Sequence, residues 1–149
     1  MFARCWCRLL TTERLLLRKP TVDDPDMRFH LEQWERNGIG KFVVVRRADA
    51  AVVGRVGVQL LHPETWQTVD GDDGEPELGW TLRPEYRGLG YATEAARAVR
   101  DWYAAPHLVS LIPPDNLASQ AVARRLDAVP RGSIHLPDDG TYVVWEHRA

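Results

Sequence analysis

The chain predicts a mixed α/β domain, and three features carry that expectation. Runs rich in branched aliphatic residues, Arg14–Arg18, Phe42–Arg46 and Val52–Leu61, have strand character. A further strand pattern, Glu77–Leu82, passes through Arg83 and Pro84 into a turn holding Gly88 and Gly90, then leaves with helical spacing from Ala92 to Tyr103. That helical run is followed by a short apolar strand, His107–Ile112, at a spacing that suits a parallel βαβ crossover.

At 149 residues the chain suits one domain with a real core. A hydrophobic fraction of 44% and a charged fraction of 27% are ordinary for a globular protein. The net charge of -2 argues against a nucleic-acid partner held by bulk charge. No apolar run approaches the ~20 residues of a membrane span. Arg4 and Arg8 interrupt the apolar start, so no secretory signal is expected and the chain reads as cytoplasmic. Cys5 and Cys7 lack the further ligands a structural zinc site needs, and they read as reduced thiols.

In chain order, Met1–Leu10 reads as a loose extension, and Arg14–Arg18 as a first strand stopped at Pro20. Thr21 or Asp23 is placed to cap a helix from Met27, with Leu31 and Trp34 on one side and Asn37-Gly38 as its end. Two strands follow, separated by a turn at Ala48-Asp49-Ala50, and Gly54 and Gly57 in the second predict a bulge or a close backbone approach. His62–Pro76 reads as a surface loop with an acidic run, Asp70, Asp72, Asp73 and Glu75, that could also draw in a cationic amine. After the crossover, Asp115 or Asn116 caps a helix with Ala118, Ala121, Val122 and Leu126 inward. Ile134–Leu136 and Tyr142–Trp145 read as the last two strands, joined by a turn over 137–140.

The chemistry concentrates at the glycine-bearing turn. Two glycines one residue apart allow positive φ and close approach to a ligand, so successive amides can point into one concavity. The next helix adds its unpaired N-terminal N–H groups and the positive end of its dipole, and Arg87 adds a permanent cation. Such a place suits phosphate. A dinucleotide fingerprint would need a third glycine where Thr93 stands, and a Walker loop would need a Gly-Lys-Ser/Thr ending. Neither is present.

Arg87-Gly88-Leu89-Gly90-Tyr91-Ala92 resembles the Arg/Gln-x-x-Gly-x-Gly/Ala signature of the GNAT superfamily of acyl-CoA N-acyltransferases. The surrounding Glu77–Ala95 segment is similar to its RimJ/RimL-like branch, as are Pro114-Asp115-Asn116-Leu117-Ala118-Ser119 and the opening Thr12–Arg18. The resemblance implies the GNAT fold, a largely antiparallel sheet whose strands Glu77–Leu82 and His107–Ile112 splay apart as a parallel pair. It also implies acetyl-CoA as cofactor. Amides of Arg87, Gly88, Leu89, Gly90, Tyr91 and Ala92 would grip its pyrophosphate. Backbone near Thr81 and Leu82 would hold pantetheine and polarise the thioester carbonyl.

Acetyl transfer to an amine needs a neutral amine, a stabilised oxyanion and a proton for the departing thiolate. Glu77 is the first candidate to accept the amine's proton, because the matching strand in this branch often carries a glutamate; the alternative is an exposed strand-edge glutamate. Asp138 is a second candidate, with a plain hairpin turn as its alternative. Ser119 either donates the proton to the thiolate, as the matching serine does in relatives, or satisfies local backbone. Asn116 either bonds pantetheine or caps the helix. The five histidines show no metal-ligand spacing, and no metal is expected; His135 alone lies near the expected acceptor side. Trp34, Trp66 and Trp80 are candidates to wall a groove, with ordinary packing as the alternative.

The expected activity is therefore acetyl-CoA-dependent N-acetylation of a primary amine, a protein N-terminus or a small molecule. A non-catalytic acyl-CoA-binding module is the rival. GNAT proteins usually place two helices between the first two strands, and this chain has room for about one, so the acceptor groove is either open or completed by a second subunit in a homodimer.

Overall fold

The computed structural model describes residues 9–69, 74–137 and 139–148. Met1–Arg8 with Cys5 and Cys7, the carboxylates Asp70, Asp72 and Asp73, and Asp138 lie outside the described residues. The elements run β1 (Leu9–Thr11), β2 (Leu15–Arg18), α1 (Arg28–Asn37), β3 (Lys41–Arg46), β4 (Val52–Leu61), β5 (Glu75–Leu82), α2 (Tyr91–Tyr103), β6 (Val109–Ile112), α3 (Leu117–Arg125), β7 (Val129–Leu136) and β8 (Gly140–Glu146). They form one eight-stranded sheet in the order β1-β2-β3-β4-β5-β6-β8-β7. All neighbours are antiparallel except β5 and β6, which run parallel with a single registered pair, Glu77 opposite Val109. The predicted fold class holds, including the splayed pair and the single helix between β2 and β3.

Alternation decides which face of the sheet each side chain joins. On one face Phe42, Val44, Val56, Val58 and Leu78 are buried against Ala95, Ala96 and Val99 of α2. Trp34 of α1 joins this core edge-on to Phe42, and its indole N–H donates to Lys41 O at 2.8 Å. Trp34 is thus a core residue and no groove wall. The opposite face carries Lys41, Gln59 and Glu77.

Several element boundaries differ from expectation. Leu9 and Leu10 lie in a strand, because pairing with β2 satisfies their backbone. Neither Thr21 nor Asp23 caps α1, which starts at Arg28 with no side-chain cap. Pro25 and the left-handed Asp26, at φ 60°, hold the preceding turn out of the helix. Asp24 is instead drawn to β2, where Arg18 Nη1 and Nη2 donate to it at 2.8 and 2.7 Å. In α3 the buried positions are Val122 and Ala123, followed by Leu126, while Ala118 stands exposed in the first turn. Asp127 takes the left-handed conformation after that helix, at φ 61°.

Candidate functional site

The predicted cradle forms where β5 ends. Pro84–Tyr86 make one 3-10 turn, Gly88 and Gly90 follow at φ 77° and 84°, and Gly90 stands as the N-cap of α2 with no side-chain cap bond. The first N–H groups of Tyr91, Ala92 and Thr93 therefore have no intrahelical acceptor. A Cβ on residue 88 would meet nothing within 4 Å, so the concavity beside it is open. Arg87 is exposed and donates from Nε to Leu82 O at 3.2 Å, which ties the turn to the end of β5.

Arg14 braces the cradle from the β1–β2 turn. Its Nη1 donates to Leu89 O at 2.8 Å, its Nε to Glu94 at 2.7 Å, and its guanidinium lies 4.5 Å over the Tyr91 ring. Thr12 Oγ1 donates to the same Glu94 carboxylate at 2.5 Å. The opening strand's likeness to relatives thus has a physical role here, fixing the loop and the first turn of α2. The sequence offered no sign of it, because the contact joins residues 75 apart.

A cleft also lies between β5 and β6. Its cavity of about 230 Å³ is lined by Lys41, Glu77, Gly79, Thr81, Asn116 and Ser119 among others. Beyond Glu77, β5 has no registered partner in β6, so the edge of Gly79–Leu82 faces the cleft. Asn116 Oδ1 accepts from Ser119 N at 3.1 Å, so its carbonyl caps α3 and its amide nitrogen is left for other use. Ser119 Oγ accepts from Trp80 Nε1 at 3.3 Å, which leaves its own O–H to donate. Trp80 therefore orients Ser119 at the cleft wall.

Glu77 is buried at 7% exposure. Gln59 Nε2 and the backbone N–H of Leu111 each donate to it at 3.3 Å. It lines the cleft and also a second cavity of about 480 Å³, walled by Trp66 and Tyr142 with Gln59 and Asp139. Among the described residues, no lysine, arginine or histidine lines that second cavity. His135 does not reach either space; its ring nitrogen pairs with Thr141. Among the described residues no three His, Cys, Asp or Glu side chains are grouped to hold a metal.

Comparison with known proteins decides the family. Residues 21–129 match the model of the acetyltransferase (GNAT) domain. The chain belongs to the GNAT acetyltransferase family. Solved structures agree with this. An acetyltransferase from Agrobacterium tumefaciens str. C58 is 27% identical, with TM-score 0.74 over 95% of this chain and 94% of that one. A GNAT-family acetyltransferase from Bordetella pertussis is 21% identical, with TM-score 0.75 over 95% and 99%. RimL, a ribosomal L7/L12 α-N-protein acetyltransferase solved with coenzyme A, is 14% identical, with TM-score 0.73 over 94% and 97%. No curated protein sequence matches the chain significantly.

GNAT enzymes take their acyl group from acetyl-CoA, and this chain has room for that cofactor. The cradle beside Gly88 is open, the first amides of α2 are unpaired, and the β5 edge from Gly79 to Leu82 has no partner in β6. The sequence signalled the cradle through local backbone chemistry, and the parted β5 edge only through the family resemblance. It missed Lys41, whose buried side chain lines the cleft from two strands away.

Proposed function

We propose that the chain is an N-acetyltransferase that joins acetyl-CoA and a primary amine in one ternary complex, with the amine attacking directly. The observation that carries this reading is Glu77, the carboxylate shared by the cleft between β5 and β6 and the larger cavity. The amine enters by the larger cavity, where Trp66 and Tyr142 offer apolar walls and Glu77 and Asp139 offer negative charge. A protonated amine cannot attack, and Glu77 accepts its proton directly or through water. Gln59 and Leu111 N hold the carboxylate at the junction of the two spaces.

Acetyl-CoA, when bound, supplies an activated thioester. Arg87 to Ala92 receive its pyrophosphate, Thr81 and Leu82 hold pantetheine through backbone groups, and Asn116 adds its free amide nitrogen. Ser119, oriented by Trp80, gives its hydroxyl proton to the departing sulfur. These placements rest on the open cradle, the unpaired β5 edge and the family's donor.

Calorimetric titration with acetyl-CoA and with 3′-dephospho coenzyme A tests the cofactor assignment, and thiol release over an amine panel tests the transfer. Glu77→Gln should leave acetyl-CoA affinity within about twofold while slowing turnover by roughly 10²-fold. An unchanged rate removes Glu77 from the chemistry. Cofactor binding with no thiol release on any amine favours the non-catalytic binding module.

A further inference from the structure

Two of the charged groups lining the cleft differ in how well they are satisfied. Glu77 accepts from Gln59 Nε2 and from Leu111 N. Lys41 is just as buried, at 7% exposure, yet no hydrogen bond or ion pair among the described residues reaches its ammonium. Glu77 is its nearest countercharge but makes no hydrogen bond to it, and a buried ammonium with no acceptor is unfavourable.

The register explains how this side chain reaches the cleft. Lys41, Gly57 and Gly79 stand opposite one another on β3, β4 and β5, so they share one sheet face in a single row. With no side chain at either glycine, the lysine lies flat across β4, and its Nζ occupies the place a Cβ on residue 79 would take. It therefore ends against the β5 backbone that faces the cofactor cleft. The neighbouring row, Val43, Arg55 and Thr81, brings a second cation to the same face. Burial holds the Lys41 ammonium below the usual lysine value, with Glu77 opposing and Arg55 adding to the effect. His30 of α1, close enough to feel both cations, is pushed down to about 4 by burial, then by Arg55 and Lys41, and is neutral near pH 7.

The unmet demand in the cleft is thus for an oxygen acceptor at Lys41. We propose that Lys41 Nζ donates a hydrogen bond to an oxygen of the acyl group carried on coenzyme A. This rests on the cofactor reading above and adds a side-chain donor to the backbone groups assigned there. The oxygen is either the thioester carbonyl or the terminal carboxylate of a dicarboxylic acyl chain such as succinyl, and the two sources give different results.

Wild type and Lys41→Met are titrated with coenzyme A, acetyl-CoA and succinyl-CoA by calorimetry, and the carbonyl resonance of bound [1-13C]acetyl-CoA is recorded for each. Coenzyme A has no acyl oxygen and should bind both proteins alike, which also shows that the variant folds. With the carbonyl as acceptor, its resonance moves downfield on wild type and moves part of the way back in Lys41→Met. With a terminal carboxylate as acceptor, succinyl-CoA binds wild type about tenfold tighter than acetyl-CoA, and the preference is lost in the variant. Gly79→Ala, which displaces Nζ while keeping the lysine, should reproduce either loss. The proposal is overturned if coenzyme A binds both proteins and neither the resonance nor the succinyl preference responds to Lys41. It is also overturned if Lys41→Met loses coenzyme A itself, because Lys41 is then a support of the cleft. Failure of wild type to bind coenzyme A would instead remove the cofactor reading on which the proposal stands.

Discussion

Gly90 shows how much one backbone angle can decide. At φ 84° it turns the chain from the 3-10 turn into α2 and leaves the first helical amides uncapped. A β-branched residue there is strained, and its Cβ would stand 3.2 Å from Arg14 Nη2. Gly90→Val should weaken acetyl-CoA binding by more than about tenfold, or abolish it, as read by calorimetry. Retained affinity would sink the phosphate assignment. Gly88 and Gly90 were readable from sequence because positive φ has a residue preference. Asn116 was readable as a cap for the same kind of local reason. Lys41 was not, because its position depends on glycines 16 and 38 residues later being brought opposite it by register. A lone lysine opening a valine run carries no such sign.

Among the elements, the splay between β5 and β6 owes its shape to side chains as much as to backbone. Ser110 Oγ donates across it to Leu78 O at 2.5 Å and pairs with His147 Nε2 at 2.7 Å. Since the hydroxyl proton goes to Leu78, the imidazole must donate from Nε2, and its buried Nδ1 has no partner among the described residues. Ser110→Ala should cost about 2 kcal/mol in urea denaturation, because two buried groups lose their partner at once. Burial, and then Arg100, push the His147 pKa down to about 4. A group depressed in the folded state below its unfolded value of about 6.5 contributes stability above that value and loses it as pH falls toward 4. Urea midpoints should therefore fall between pH 6.5 and 4, and His147→Gln should flatten that slope. None of this could be read from the sequence, where Ser110 is one strand serine and His147 one histidine after the last strand. Most strands were readable, since their aliphatic runs hold even where their ends moved, but β1 was read as a loose extension and β7 only at its Ile134–Leu136 end.

On the scale of the molecule, one sheet is joined at its middle by a single registered backbone pair. Everything from β1 to β5 lies on one side of that join, and β6, β8 and β7 lie on the other. The two parts are linked chiefly by side chains: the ties of Ser110 and Glu77, the Trp80–Ser119 and Glu75–His107 pairs, and the packing of α2 against α3 with Arg97 and Arg100 bonded to its end. Local opening free energies are lowest where such bonding is thin. Amide hydrogen exchange should accordingly be faster in β6 and at the Gly79–Leu82 edge of β5 than in β3 and β4. Adding acetyl-CoA at ~100 times its dissociation constant should slow exchange on both sides of the gap, and raise overall stability by about 2.7 kcal/mol. Exchange that slows only in the cradle would place the ligand outside the cleft.

The gap beyond the Glu77–Val109 pair therefore gives the chain an architecture one strand short of complete. If the pantetheine arm fills that vacancy, the substrate is for a moment part of the protein's own scaffold. Each turnover would then begin with the sheet being closed and end with it being opened again, so that the molecule is most rigid when loaded and loosest when ready to exchange. A cell's supply of donor would on that account set how long each copy survives proteolysis as well as how fast it works.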